Sequence, residues 1–168
     1  DSRVTGKLLN HIGVKRPMTP YHDHNADAVR PRLIERMASE VVALVSDVLT
    51  RQFLSLHRTW IQANGTKADV DPPRLLLGGH RKAGGCIRLW PDEAVTTGLA
   101  VAEGIETALS LAHGYAPVWS LIDAGNLAAL PVLGGVEVLV IGADNDPAGR
   151  AAAELCARRW ADAGVEVL

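Results

Sequence analysis

From Thr97 to its last residue the chain alternates short apolar runs with segments of helical period, and two of those runs end at carboxylates. Leu99-Ala100-Val101-Ala102 leads into Glu103; Ile105, Ala108, Leu109 and Ala112 then follow at helical spacing until His113-Gly114 stops the helix. Pro117 to Ile122 reads as a second strand, followed by a short helix near Asn126–Leu130. Val136 to Ile141 is a third strand, ending at Asp144. Asp146 then stands as an N-cap with Pro147 at the first helical position. That helix runs through Ala152, Leu155, Cys156 and Trp160 to Gly164, and Val165–Leu168 opens a fourth strand. Strand–helix alternation of this kind predicts an α/β fold with a parallel sheet flanked by helices. Ligand sites in such sheets lie beyond the carboxyl ends of the strands, where Glu103 and Asp144 both fall.

The first half has a different character. Pro17, Pro20 and Pro31 and the polar run Tyr21-His22-Asp23-His24-Asn25 predict an irregular lead-in, with a short helix around Arg32 to Met37. Val41 to Val45 and Phe53 to Ile61 read as two strands joined near 49–52, with Leu54, Leu56 and Trp60 on one parity; a helix through 32–49 is the alternative. Asn64-Gly65 is a turn signal leading into another short strand, residues 71–85 are Pro- and Gly-rich and basic, and Cys86 to Trp90 alternates like a last strand. The expected organisation is a small antiparallel β-rich subdomain with its lead-in over 1–96, and the parallel-sheet domain over 97–168. The chain starts on Asp1 and stops inside an apolar strand, so it reads as a piece of a longer protein whose second domain is cut short.

Composition excludes several classes. With 168 residues, 48% of them hydrophobic and a net charge of −2, the chain can build a core but has no global basic signature for coating nucleic acid. Its two cysteines, Cys86 and Cys156, are far apart and read as small buried hydrophobes. No run reaches the roughly 18 apolar residues that cross a bilayer, and a cytoplasmic protein without membrane partners is expected. No Gly-x-Ser-x-Gly elbow supports a serine hydrolase, and the paired cysteines of a zinc deaminase are lacking.

Chemistry concentrates in three carboxylates. Asp144 and Asp146, two apart at a strand end, can face one ion, and Glu103 arrives from another strand tip. Clustered like charges are unfavourable without a cation, and magnesium favours carboxylate oxygen while keeping several waters. Ala102-Glu103-Gly104-Ile105-Glu106-Thr107-Ala108 resembles the Glu-Gly motif of Toprim domains, and Gly142-Ala143-Asp144-Asn145-Asp146-Pro147-Ala148-Gly149 resembles their Asp-x-Asp motif. The versions here are most similar to those of phage- and plasmid-type primases and primase–helicases, in which a β-rich segment with a His-Arg-Thr motif comes first. His57-Arg58-Thr59 and Gly84 to Leu89 match that order.

The resemblance implies a metal-dependent nucleotidyltransferase making RNA primers on single-stranded DNA from ribonucleoside triphosphates. Glu103, Asp144 and Asp146 would be its catalytic and Mg²⁺ or Mn²⁺ residues, with helicase and zinc-binding domains elsewhere in the full-length chain. It also implies alternatives: a Toprim nuclease or topoisomerase-like enzyme, or a catalytically silent module that binds DNA or a partner. A topoisomerase needs a nucleophilic tyrosine, for which Tyr21 and Tyr115 are the candidates. Thr107 stands where replicative primases often carry an acidic residue; Glu106 is open between substituting for it and being a solvated helix residue.

Weaker signals complete the reading. The basic loop from Gly78 to Gly85 is no P-loop, but Arg81 and Lys82, with Arg58 and Lys67, form a candidate surface for nucleic acid or nucleotide. Asp123, Gly125 and Asn126 border the expected site or form a turn. His22 and His24 read as surface residues, and the four tryptophans as core.

Overall fold

The computed structural model describes residues 40–62, 64 and 66–168. The lead-in, with the expected helix at Arg32 to Met37, His22, His24 and Tyr21, lies outside them. The described residues fall into two compact units: one holds Glu40, Val41 and the described part of Trp60–Asp69, the other Val42–Thr59 and Val70–Leu168. In the first unit Ile61 bridges Lys67, and the turn between them is tied by Gln62 N–H donating to the Thr66 carbonyl at 2.7 Å.

Eight strands among the described residues form one mixed sheet: β1 (Glu40–Asp47), β2 (Phe53–Trp60), β3 (Arg74–Leu76), β4 (Gly85–Arg88), β5 (Gly98–Ala102), β6 (Val118–Ser120), β7 (Val138–Gly142) and β8 (Glu166–Val167). Their spatial order is β3-β2-β1-β4-β6-β5-β7-β8. The parallel core runs β6-β5-β7-β8, and β4 joins it antiparallel to β6 with Arg88 opposite Trp119. The antiparallel strands predicted for the first half therefore extend the same sheet as the parallel ones. Three helices among the described residues connect the core: α1 (Ile105–Leu111), α2 (Ala124–Ala129) and α3 (Pro147–Asp162).

The central strand β5 explains why its run lacks alternation. Leu99 and Val101 face one core with Leu127 and Leu130 near α2 and Ala152, Cys156 and Trp160 of α3, while Ala100 and Ala102 pack on the other side with Ala108 of α1. A strand covered on both faces must be apolar throughout. The last residue of β7 shows how closely α1 sits: a Cβ on Gly142 would come 2.6 Å from Leu111 Cδ1 and would force that side chain to move. On α3, Ala152, Cys156 and Trp160 recur every fourth residue on the buried face, and Trp160 is 0% exposed. Trp119 is also buried, its indole N–H donating to the Trp90 carbonyl at 3.0 Å. Both cysteines are fully buried and free, and burial pushes each thiol to about 11.

The structure departs from expectation at β2. The parity with Leu54 and Leu56 is only half-buried, whereas Ser55, His57 and Thr59 are buried. A polar strand face inside the protein is tolerable only with partners or a lined cleft; Ser55 Oγ donates to the Leu77 carbonyl. After Asn64-Gly65 the described residues form a single bridge, Lys67 to Ile61, and the short strand lies further on, inside the Pro- and Gly-rich stretch, at Arg74–Leu76, placed by pairing with β2, His57 opposite Leu76 and Thr59 opposite Arg74. Helix α2 begins two residues earlier than predicted, capped by Asp123 Oδ1 accepting from Asn126 N–H at 2.9 Å.

Candidate metal and phosphate site

The ends of β5, β6 and β7 lead into Glu103, Ile122-Asp123 and Asp144, and these line a cleft of about 240 Å³ together with His57, Arg74 and Lys82. The cleft thus brings together groups from six separate stretches of sequence, three of them at the carboxyl ends of parallel strands. Glu103 follows the last residue of β5 directly, and Gly104 caps α1 with an extended backbone. The Glu103 Oε2 is buried and has no hydrogen-bond partner among the described residues. Burial first, then the carboxylates of Asp144, Asp146 and Asp123, push its pKa up, against a hydrogen bond from the Ala124 N–H.

Asp144 is half-buried, and Thr107 Oγ1 donates to its Oδ1 at 2.7 Å. Thr107, at the position where an acidic residue was the alternative, thus orients one of the three carboxylates. Asp146 is exposed, and its Oδ1 accepts from Gly149 N–H at 2.8 Å, capping α3 as its sequence context predicts. Gly149 closes the arrangement: a Cβ there would stand 2.7 Å from the Asp144 carbonyl and 3.1 Å from Glu103 Oε2. Helix α3 can approach the two carboxylates this closely only on a residue without a side chain.

The basic residues divide. Lys82 lines the cleft, its Nζ 3.0 Å from Asp123 Oδ2. Arg81 instead pairs with Asp47 at 2.8 Å. Asp47 also accepts from the N–H groups of Leu49 and Thr50, and these bonds, Thr50 foremost, hold its carboxyl below the usual range. Arg58 is half-buried on the parity of β2 opposite to His57 and is not among the residues lining the cleft. Lys67 belongs to the first unit.

Two cleft residues escaped the sequence reading as site residues. His57 projects from the buried polar face of β2, and burial first, then Arg74, lowers its pKa, Glu106 opposing. Arg74 enters from β3 and pairs with Glu106 at 3.2 Å. The only sequence signal for Arg74 was its place in a basic, Pro-rich stretch; its position depends on a strand pairing that local pattern does not reveal. The same contact makes Glu106 an ion-pair partner rather than a third acid beside Asp144. Asn126, flagged as bordering the site, is buried and clamps the basic loop: its Oδ1 accepts from Gly84 N–H at 2.9 Å and its Nδ2 donates to the Lys82 carbonyl at 3.0 Å.

Among the described residues no three His, Cys, Asp or Glu side chains are gathered as a closed metal cage requires. The donor set fits a different kind of site, one for a hard divalent cation that takes one or two carboxylates and keeps water and phosphate oxygens. The partnerless Glu103 Oε2, pressed by neighbouring carboxylates, is the observation that fits such an ion. Tyr115 lies before β6, at the opposite end of the parallel strands from the cleft. None of the described helices is long and apolar enough to cross a membrane.

Comparison with known proteins bears on the same residues. The primase fragment of the bacteriophage T7 primase–helicase superposes with a TM-score of 0.52 at 22% identity, over 76% of this chain and 52% of that one, a likeness of fold. Curated relatives include proteins named ribosomal RNA small subunit methyltransferase I: one from Xylella fastidiosa is 38% identical over 92 residues, or 54% of this chain. Another, from Mesorhizobium japonicum, is 32% identical over 121 residues, or 70% of this chain. The chain spans 27% and 35% of the lengths of those two relatives. The model of the Toprim domain matches residues 98–168, the stretch from β5 to the end. Glu103, at the tip of the first parallel strand, and Asp144, beyond β7, therefore belong to a Toprim domain that occupies residues 98–168 of this chain.

Proposed function

We propose that this cleft carries out metal-dependent phosphoryl or nucleotidyl transfer on nucleic acid, and that the reaction is RNA primer synthesis on single-stranded DNA from ribonucleoside triphosphates. The observation that carries the reading is the buried, partnerless Glu103 Oε2 beside Asp144 in a cleft whose other wall is cationic. Glu103 and Asp144 would hold the ion, with Asp146 adding charge while it caps α3. Bound Mg²⁺ or Mn²⁺ supplies neutralisation of the charge that develops on the transferring phosphoryl group. Thr107 fixes the Asp144 carboxylate, and Lys82 and Arg74 are placed to take phosphate oxygens as charge-assisted donors. Helicase and zinc-binding segments in the full-length protein belong to the same proposal.

The test is primer synthesis by this chain on a single-stranded template with ribonucleotides and Mn²⁺. Synthesis should disappear in the Asp144→Ala, Asp146→Ala double variant while its unfolding transition remains. Primers made undiminished by that variant would remove the proposed site. The curated relatives favour a second reading, in which the polynucleotide is ribosomal RNA, because they are named for it. Competing single-stranded DNA against small-subunit ribosomal RNA fragments for binding separates the two.

A further inference from the structure

The charge balance of the cleft sets a condition on what can enter it. Three acidic side chains, Glu103, Asp123 and Asp144, line it against two basic ones, Arg74 and Lys82. Neither cation is idle: Lys82 is held by Asp123 at 3.0 Å and Arg74 by Glu106 at 3.2 Å. A free polyphosphate would meet a net negative wall and cations already engaged.

We propose, resting on the functional reading above, that Asp123 is a resident counter-ion for Lys82 that a ligand phosphate must displace, so that the cleft takes a polyphosphate more tightly when a divalent cation accompanies it. The backbone favours this role for Asp123. Its Oδ1 is committed to the N–H of Asn126 as the cap of α2, and its Oδ2 faces Lys82, so the carboxylate is fixed whether or not the lysine stays. Lys82 is anchored at its main chain, whose carbonyl accepts from Asn126 Nδ2, while its side chain, paired with Asp123, is 59% exposed. The lysine head can swing to a phosphate while its Cα stays in place. An exposed ion pair is weak enough for a multiply charged phosphate to outcompete it once Glu103 and Asp144 are neutralised. Cation and anion binding are then coupled, each raising the affinity for the other.

The probe is inorganic tripolyphosphate, titrated calorimetrically into the chain with and without Mg²⁺. The original protein should bind it at least about fivefold more tightly with Mg²⁺, the low end of ordinary coupling between sites. Asp123→Asn retains a capping side chain but removes the charge, so α2 stays capped. This variant should bind Mg²⁺-free tripolyphosphate at least about fivefold more tightly than the original, narrowing the Mg²⁺ dependence. In the Lys82→Gln background the same substitution should bring no such gain, because the lysine it frees is gone. A gain that persists in Lys82→Gln, or no gain in Asp123→Asn, overturns the counter-ion role while leaving the functional reading standing if Mg²⁺ still binds. Absence of Mg²⁺ binding to the original protein, alone or with tripolyphosphate, overturns both.

Discussion

Substituting Gly149 by alanine sets two elementary effects against each other. Gly149 lies in the first turn of α3, where alanine is favoured over glycine by about 1 kcal/mol on helix propensity alone. The contacts oppose this. The added methyl would sit 2.7 Å from the Asp144 carbonyl, 3.2 Å from Asp144 Cβ and 3.1 Å from Glu103 Oε2, and the nearest of these is backbone that no rotamer change relieves. The Asp144 carbonyl also accepts from Asp146 N–H at 2.8 Å, and Asp146 Oδ1 from Gly149 N–H at 2.8 Å, so moving it disturbs the cap. Overpacking of this kind costs about 1–3 kcal/mol, so the net expectation is a loss of about 1 kcal/mol after the propensity gain is subtracted. For a chain of this size that corresponds to a fall of about 2–4 °C in Tm. Urea unfolding of the two proteins, compared at equal m, measures it. Calorimetry with Mg²⁺ should show weaker binding, because Glu103 and Asp144 must separate from α3. A variant more stable than the original, with unchanged ion binding, would refute the close approach of α3 to the two carboxylates.

Three further outcomes follow from the same geometry. Thr107→Val keeps shape but removes the bond to Asp144 Oδ1, and divalent affinity should fall about tenfold in a calorimetric titration; equal affinity would mean that Thr107 does not orient the carboxylate. Trp160→Ala empties a fully buried site and should cost about 3–5 kcal/mol in guanidinium unfolding, a loss below 1 kcal/mol being incompatible with the packing. Because the folded pKa of His57 lies below its ordinary value of 6.5, the unfolded chain takes up the proton first, and this group's contribution to stability is lost as pH falls below that value. His57→Gln should lose less stability between pH 7.5 and 5 than the original, and parallel pH profiles would show that His57 is not desolvated.

What the sequence made legible follows from how local each signal is. The strands ending at Glu103 and before Asp144, the cap at Asp146 and the buried faces of β5 and α3 are written in runs of a few residues, so pattern and capping rules reach them. The cationic wall is different. Arg74 lines the same cleft as Glu103 because β3 pairs with β2 in an eight-stranded sheet, and no short-range period encodes that pairing. Arg58 looked equivalent to Lys82 as a charge, but strand parity points it away from His57. The polar face of β2 has a related cause: Leu54, Leu56 and Trp60 share one parity, yet Ser55, His57 and Thr59 are the buried ones, and His57 lines a cleft, where polar residues can be inside. Thr107 was read as a departure from an acidic pattern, and its contribution became visible only in its contact with Asp144.

The double grip of Asn126 on the basic loop has a consequence for how this protein can change. Lys82 and Gly84 are stitched to one amide, so inserting or deleting a residue between them would break both bonds at once and shift the lysine's origin. The outer limb of the same loop is more open: a Cβ on Gly78 meets nothing within 4 Å, and Gly79 next to it is held to glycine by its positive φ rather than by any neighbour. Length variation among descendants of this chain should therefore accumulate before His80 and stop at Lys82, leaving a loop that can grow outward while the charge it delivers stays at a fixed address.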